Sequence, residues 1–253
     1  MIIDGHNTVG EVRSFLMIGQ SNMAGRGEFN EVPKIDNENC FTLRNGRWQK
    51  MSEPINPDRP IFEGKFHSGI SLGASFANAV AKKLNCKVGL IPCADGGTDM
   101  DDWVSSGVLY RHAVFMTKLA MERSVFSGII WHQGESDCSS EKKAKEHKQK
   151  FVEMITALRK DLGKCDVPVI IGELSNNYSD SWGFNDRQKI INAGYKEIAK
   201  TLKNCAVASA NSLELKDDGI HFNSKALREF GERYFDAYID LVGERSNANC
   251  NRF

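Results

Sequence analysis

The sequence predicts an α/β fold, a three-layer α/β/α sandwich with a central parallel sheet of about five strands. Three observations predict it. Short apolar runs bounded by Gly, Pro or polar residues recur along the chain. Segments of helical period separate them. The alternation holds from the first run to the last helix. Strands buried on both faces of a parallel sheet read as continuous Val, Ile and Leu runs, and these do.

The first strand is expected in Ser14–Gly19, around Leu16-Met17-Ile18 and ending at Gly. Glu28–His67 follows, rich in Asn, Pro, Arg and Glu and with little period. It reads as an irregular insertion, and a stretch of that length in a compact domain is often functional. Leu72–Leu84 sets Phe76, Ala79, Val80 and Leu84 on one helical stripe. Lys87–Pro92 is the second strand, Leu109–Glu122 a helix, and Gly128–Trp131 the third strand. In Ser139–Leu162, Ala144, Phe151, Met154, Ile155 and Leu158 recur at helical spacings beside many Lys and Glu. Val167–Leu174 is the fourth strand, Asp186–Leu202 a helix, and Cys205–Ser209 the fifth strand. Asn223–Val242 closes the series, with Leu227, Phe230, Tyr234, Tyr238 and Leu241 on one face and Asn223 or Ser224 as its cap. Residues 1–253 are read as one domain with peripheral ends at 1–12 and 244–253.

Composition narrows the function classes. Lys and Arg total 33 against 33 Asp and Glu, so the net charge is zero. A nucleic-acid binder usually carries a basic excess, and an anionic membrane surface exerts no net pull on a neutral chain. No run of about 18 apolar residues is present, which argues against a membrane-spanning helix. The first ten residues contain no Lys or Arg and no apolar core of a secretory leader. The expected location is cytoplasmic, or secreted if a leader has been removed. The seven cysteines are odd in number and form no CxxC, so neither a disulfide framework nor a zinc site is expected.

In a sheet of this type ligands bind beyond the carboxyl ends of the strands. After strand one stands Gly19-Gln20-Ser21-Asn22-Met23-Ala24-Gly25. Ser21 there is either a helix cap or a hydroxyl exposed on a tight turn, its own N–H facing whatever the oxygen attacks. The surrounding residues do not form the GxSxG elbow. After strand two, Gly96-Gly97 permits either a plain turn or a backbone N–H aimed at an oxyanion. After strand three, His132-Gln133-Gly134-Glu135 supplies an amide donor in Gln133 and a carboxylate in Glu135 suited to holding the loops. HxxE without a second His is weak support for a metal, and none is expected. After strand five, Asp218 and His221 are three residues apart. In a turn the carboxylate reaches imidazole Nδ1–H and leaves Nε2 to take a serine proton; the alternative is a capping acid with an incidental His.

Taken together, LMIGQSNMAGRG (16–27), GLIPCADGGTDMDDW (89–103), WHQGESD (131–137) and DGIHF (218–222) make the chain resemble an SGNH hydrolase. Within that superfamily it is similar to the carbohydrate esterase family 6 (acetylxylan esterase) and sialate O-acetylesterase-like group. The resemblance covers nearly the whole chain. It implies a flavodoxin-like SGNH hydrolase fold and a serine esterase that removes O-acetyl groups from sugars without a cofactor. It implies Ser21 as nucleophile, His221 as base and Asp218 as its orienting acid. The oxyanion hole would combine the Ser21 and Gly97 N–H groups with Gln133, which stands where many SGNH enzymes use Asn. Gln20, Asn22, Arg26 and Glu135 are expected to support the site or touch substrate. Asp95 and Asp99 depart from the family pattern and are expected to add negative charge at the mouth, with Arg26 opposing it. The non-enzyme alternative is a carbohydrate-binding protein on an inactivated esterase fold.

Overall fold

The computed structural model describes residues 12–57 and 67–250, with side chains as far as 243. The elements run β1 (Val12–Gly19), α1 (Ser21–Ala24), β2 (Cys40–Arg44), β3 (Arg47–Lys50), α2 (Leu72–Leu84), β4 (Lys87–Pro92), α3 (Val108–Met121), β5 (Val125–His132), α4 (Glu141–Asp161), β6 (Val169–Gly172), α5 (Arg187–Thr201), β7 (Cys205–Ala208) and α6 (Ser224–Cys250). The five expected strands and five expected helices are all present, with ends shifted by a few residues. Asn223 caps α6: its Oδ1 accepts the Ala226 N–H at 2.8 Å. The expected peripheral ends fall outside the described residues, apart from Val12 and the α6 backbone.

The sheet has seven strands in the order β3-β2-β4-β1-β5-β6-β7. All pairs are parallel except β2 with β3. The two additional strands correct the reading of 28–67 as irregular throughout. Cys40–Arg44 and Arg47–Lys50 form a hairpin around Asn45-Gly46, both at positive φ (49° and 70°). That pair is the sequence signature of a tight hairpin turn. On β3 the burial pattern is Trp48 inward with Arg47, Gln49 and Lys50 exposed, as a charged edge strand requires.

Successive β1 residues face opposite layers. Leu16 and Ile18 pack with Tyr110, Phe151, Trp131 and Tyr195, the side covered by α3, α4 and α5. Phe15 and Met17 pack with Phe76, Leu227 and Tyr234, the side covered by α2 and α6. Phe15, Leu16, Met17 and Ile18 are fully buried, so β1 reads as a continuous apolar run because both of its faces are covered. Truncating such a side chain costs about 2–5 kcal/mol, which makes β1 a rigid base for the loop at its end.

Candidate active site

β1 pairs with β4 on one side and β5 on the other, so the chain reverses its direction of winding around β1. The crevice outside the carboxyl ends at such a point is where open α/β sheets bind ligands. Here it is a cavity of about 440 Å³, lined among others by Gln20, Ser21, Arg26, Gly97, Glu135 and His221.

Gly19 ends β1 at φ +130°, and a Cβ there would lie 2.0 Å from the His132 carbonyl oxygen. Only glycine lets the two strand ends close, so that the Gln20 N–H donates to His132 O at 2.9 Å. The chain then turns sharply into α1, with Ser21 as its first residue and no side-chain cap. Ser21 is therefore aimed by a rigid strand end instead of capping the helix.

The opposing wall is the loop between β7 and α6. Gly219 N–H closes a turn onto Lys216 O at 2.9 Å, and Lys216 N–H donates to His221 O at 2.7 Å. Asp218 Oδ1 accepts the N–H groups of Ile220 and His221 at 3.0 and 2.9 Å, a side-chain turn open to Asp and Asn. This leaves Asp218 Oδ2 facing His221 Nδ1 at 2.8 Å, while His221 Nε2 lies 2.9 Å from Ser21 Oγ. Partial burial pushes the Asp218 carboxyl up in pKa. The bonds from the His221 and Ile220 N–H groups and the imidazole outweigh that, and hold it below the ordinary value. An ionised Asp218 fixes the tautomer with Nδ1 protonated and leaves Nε2 basic toward Ser21.

Among the described residues, the Ser21 and Gly97 N–H groups have no hydrogen-bond partner. Gly97 lies at φ +77°, in the region glycine favours, and both residues line the cavity. Gln133 does not line it. Its side chain is fully buried, and its Nε2 lies 2.6 Å from Asp137 Oδ2, 3.0 Å from Thr98 O and 3.3 Å from Gln20 Oε1. An amide nitrogen carries two hydrogens, and the closest two acceptors take both. This corrects the expected oxyanion role: Gln133 is directed away from the cavity and holds the Thr98–Asp99 peptide of the loop that carries Gly97. Gln133→Ala should lower unfolding free energy by about 2–3 kcal/mol, because it removes the shortest hydrogen bond to the buried Asp137 carboxylate and leaves it the longer one from the Met100 N–H. Denaturant melts and kinetics on one variant check this. An unchanged midpoint with kcat reduced about 10²-fold would restore the oxyanion role.

Asn22 and Glu135 form a buried support beneath Ser21 and His221. Asn22 Nδ2 donates to Glu135 Oε1 at 2.7 Å and to Ile220 O at 3.2 Å, while its Oδ1 accepts the Phe222 N–H at 3.0 Å. It thus grips the backbone on both sides of His221. His132 Nε2 lies 3.1 Å from the same Glu135 oxygen, which makes the HxxE pair an internal hydrogen bond. Burial pushes the Glu135 pKa up. The His132 charge and hydrogen bond, with that from Asn22, outweigh it and hold the group below its usual value. A carboxyl whose pKa is lowered by folding stabilises above the unfolded value of about 4, and that stability is lost as pH falls through the folded value. Wild-type unfolding free energy should therefore decline below pH about 4. Glu135→Gln should show a shallower decline on that acid limb in denaturant melts taken from pH 7 downward.

Arg26 lines the cavity beside Gly96, where a Cβ would meet Arg26 Nη2 at 2.6 Å. Its Nη1 donates to Gly25 O at 2.8 Å. The expected negative charge at the mouth is reduced: Asp99 is ion-paired with Lys143 and does not line the cavity, while Asp95 lines a smaller adjoining hollow. Among the described residues, no group of three His, Cys, Asp or Glu side chains is placed to hold a metal ion. The sequence reading missed Ser136, Ser139, Trp182 and Phe184, which also line the cavity. Trp182 and Phe184 lie beyond the carboxyl end of β6, and aromatic residues in a polar loop at that edge were the available signal.

Residues 11–240 match the family described as carbohydrate esterase, sialic acid-specific acetylesterase. A probable carbohydrate esterase of Arabidopsis thaliana is 30% identical over 244 residues, 89% of each chain. The solved structure of an Arabidopsis protein superposes with a TM-score of 0.80 at 26% identity, covering 91% of this chain and 98% of that one. The structure named NanS superposes at 0.75 with 16% identity, covering 94% and 100%. A carbohydrate acetylesterase from Xanthomonas citri gives 0.66 at 18% identity, covering 90% of this chain and 56% of that one. The last two likenesses concern the fold alone. With nearly its full described length inside one family match, and the motif blocks gathered around one cavity, the chain belongs to the carbohydrate esterase, sialic acid-specific acetylesterase family.

Proposed function

We propose that this protein is a serine esterase that removes acetyl groups from hydroxyls of acetylated carbohydrate through an acetyl-Ser21 intermediate. The observation that carries the reading is the continuous relay Asp218 Oδ2–His221–Ser21 Oγ, at 2.8 and 2.9 Å, opening on the cavity. Membership of an acetylesterase family supports the chemistry. His221 Nε2 takes the Ser21 proton as Oγ attacks the acetyl carbonyl. The Ser21 and Gly97 N–H groups receive the oxyanion, each such donor contributing about 3 kcal/mol in the transition state. Protonated His221 gives its proton to the departing sugar oxygen, then activates a water that hydrolyses the acetyl-serine. Every step uses groups of this chain.

The mouth of the site supports a choice of substrate class. An acetylated neutral sugar such as acetylxylan fits a cavity whose paired charges are internal. The second reading, an acetylated sialic acid, draws on the Arg26 guanidinium in the cavity wall. Acetate release should be measured on acetylated xylo-oligosaccharides, acetylated sialic acid and simple acetylated sugars. A preference for the sialic acid that Arg26→Ala abolishes would establish the second reading. Binding of all three without acetate release would establish a sugar-binding protein on an inactivated fold.

A further inference from the structure

Trp182 is 46% exposed, and among the described large apolar side chains that stand this open it is the one lining the catalytic cavity. An indole joins a large apolar face to one polar N–H, and Trp is enriched at binding interfaces for that reason. This one is also held still. Its Nε1–H donates to Asp218 O at 2.8 Å, and Ser179 N–H donates to Gly219 O at 2.9 Å. Both bonds tie its loop to the turn that carries Asp218 and His221. On the other side, Arg187 bridges the loop to the wall bearing Ser139: its Nε donates to Cys138 O at 2.6 Å and its Nη2 to Gly183 O at 2.5 Å. Phe184 backs the ring at a centroid distance of 6.3 Å. The ring therefore needs no ordering when a ligand arrives, and a surface already fixed loses little entropy on binding.

We infer that Trp182 is the platform for the sugar ring. The apolar C–H face of a pyranose stacks on the indole, which directs an acetylated hydroxyl toward Ser21. A pyranose carries C–H groups on its face and hydroxyls around its rim. It matches an aromatic wall facing polar groups, and Ser136 and Ser139 line the same cavity. A cavity of about 440 Å³ holds a unit of that size. The inference rests on the acetylesterase reading and adds the part of the substrate that the triad does not touch.

Trp182→Ala and Trp182→Phe should be assayed on an acetylated methyl glycoside, on ethyl acetate and on ethyl octanoate. In Trp182→Ala, kcat/KM for the glycoside should fall about tenfold to fiftyfold further than for ethyl acetate, chiefly through KM. Trp182→Phe keeps a ring and loses the N–H, and should recover most of the glycoside activity. Equal losses on glycoside and ethyl acetate would overturn the inference, because Trp182 would then act only by holding the Asp218 loop. A larger loss on octanoate than on glycoside would overturn it in favour of an acyl-chain wall. If wild type released acetate from neither the glycoside nor ethyl acetate, the acetylesterase reading itself would fail, a result distinct from both.

Discussion

Ser21→Ala should lower kcat for acetate release by about four to six orders of magnitude while leaving the melting temperature within a few degrees of wild type. The size follows from the loss of covalent catalysis: without Oγ, only the oxyanion donors and binding remain, and these retain a small residual rate over water. The stability follows from location. Ser21 Oγ contacts His221, and the folding of the loop depends on Gly19, Gln20 and Asn22. The check is a kinetic and calorimetric comparison on one purified variant. A folded Ser21→Ala protein with near-normal turnover would remove the nucleophile from the account.

The second large effect concerns the acid. Asp218→Asn should reduce kcat by about 10³–10⁴, the magnitude associated with loss of the correct imidazole tautomer. An Asn amide oxygen can still accept the Ile220 and His221 N–H groups, so the turn is retained. Its amide nitrogen would face Nδ1 as a donor and favour protonation at Nε2, leaving no base toward Ser21. Glu135 was the competing acid in the sequence, since it lies in a motif block of its own. It is instead fully buried and bonded to Asn22 and His132, with no hydrogen bond to His221. Glu135→Gln should accordingly lower activity far less than Asp218→Asn. The reverse order in kcat would assign the wrong carboxylate.

The candidate site residues were legible because each stands in a loop that follows a strand that could be read. Apolar runs marked β1, β4, β5 and β7, and Ser21, Gly97 and Asp218–His221 lie in the loops after β1, β4 and β7. What stayed hidden has physical causes. β3 is the edge strand, with Trp48 its one inward side chain, and β2 is a short run broken by Thr42 and ended by Arg44, so neither shows the long apolar run of β1; the Asn45-Gly46 turn was the clear mark of the hairpin. Gln133 was legible as a donor but not in direction, because its acceptors, Asp137 and the Thr98 carbonyl, come from its own loop and from the loop after β4. Trp182 sits in a polar loop, and only the fold brings that loop against Asp218. In each case the missing information was a contact across the sheet edge, which spacing along one strand cannot supply.

The most direct test of the central claim is stoichiometric labelling with a fluorophosphonate, followed by acetate release from an acetylated sugar. The account predicts one label per chain, located on the peptide containing Ser21, with deacetylation lost in proportion to the labelled fraction. Label on a different residue, or full deacetylation by protein completely labelled at Ser21, would contradict it.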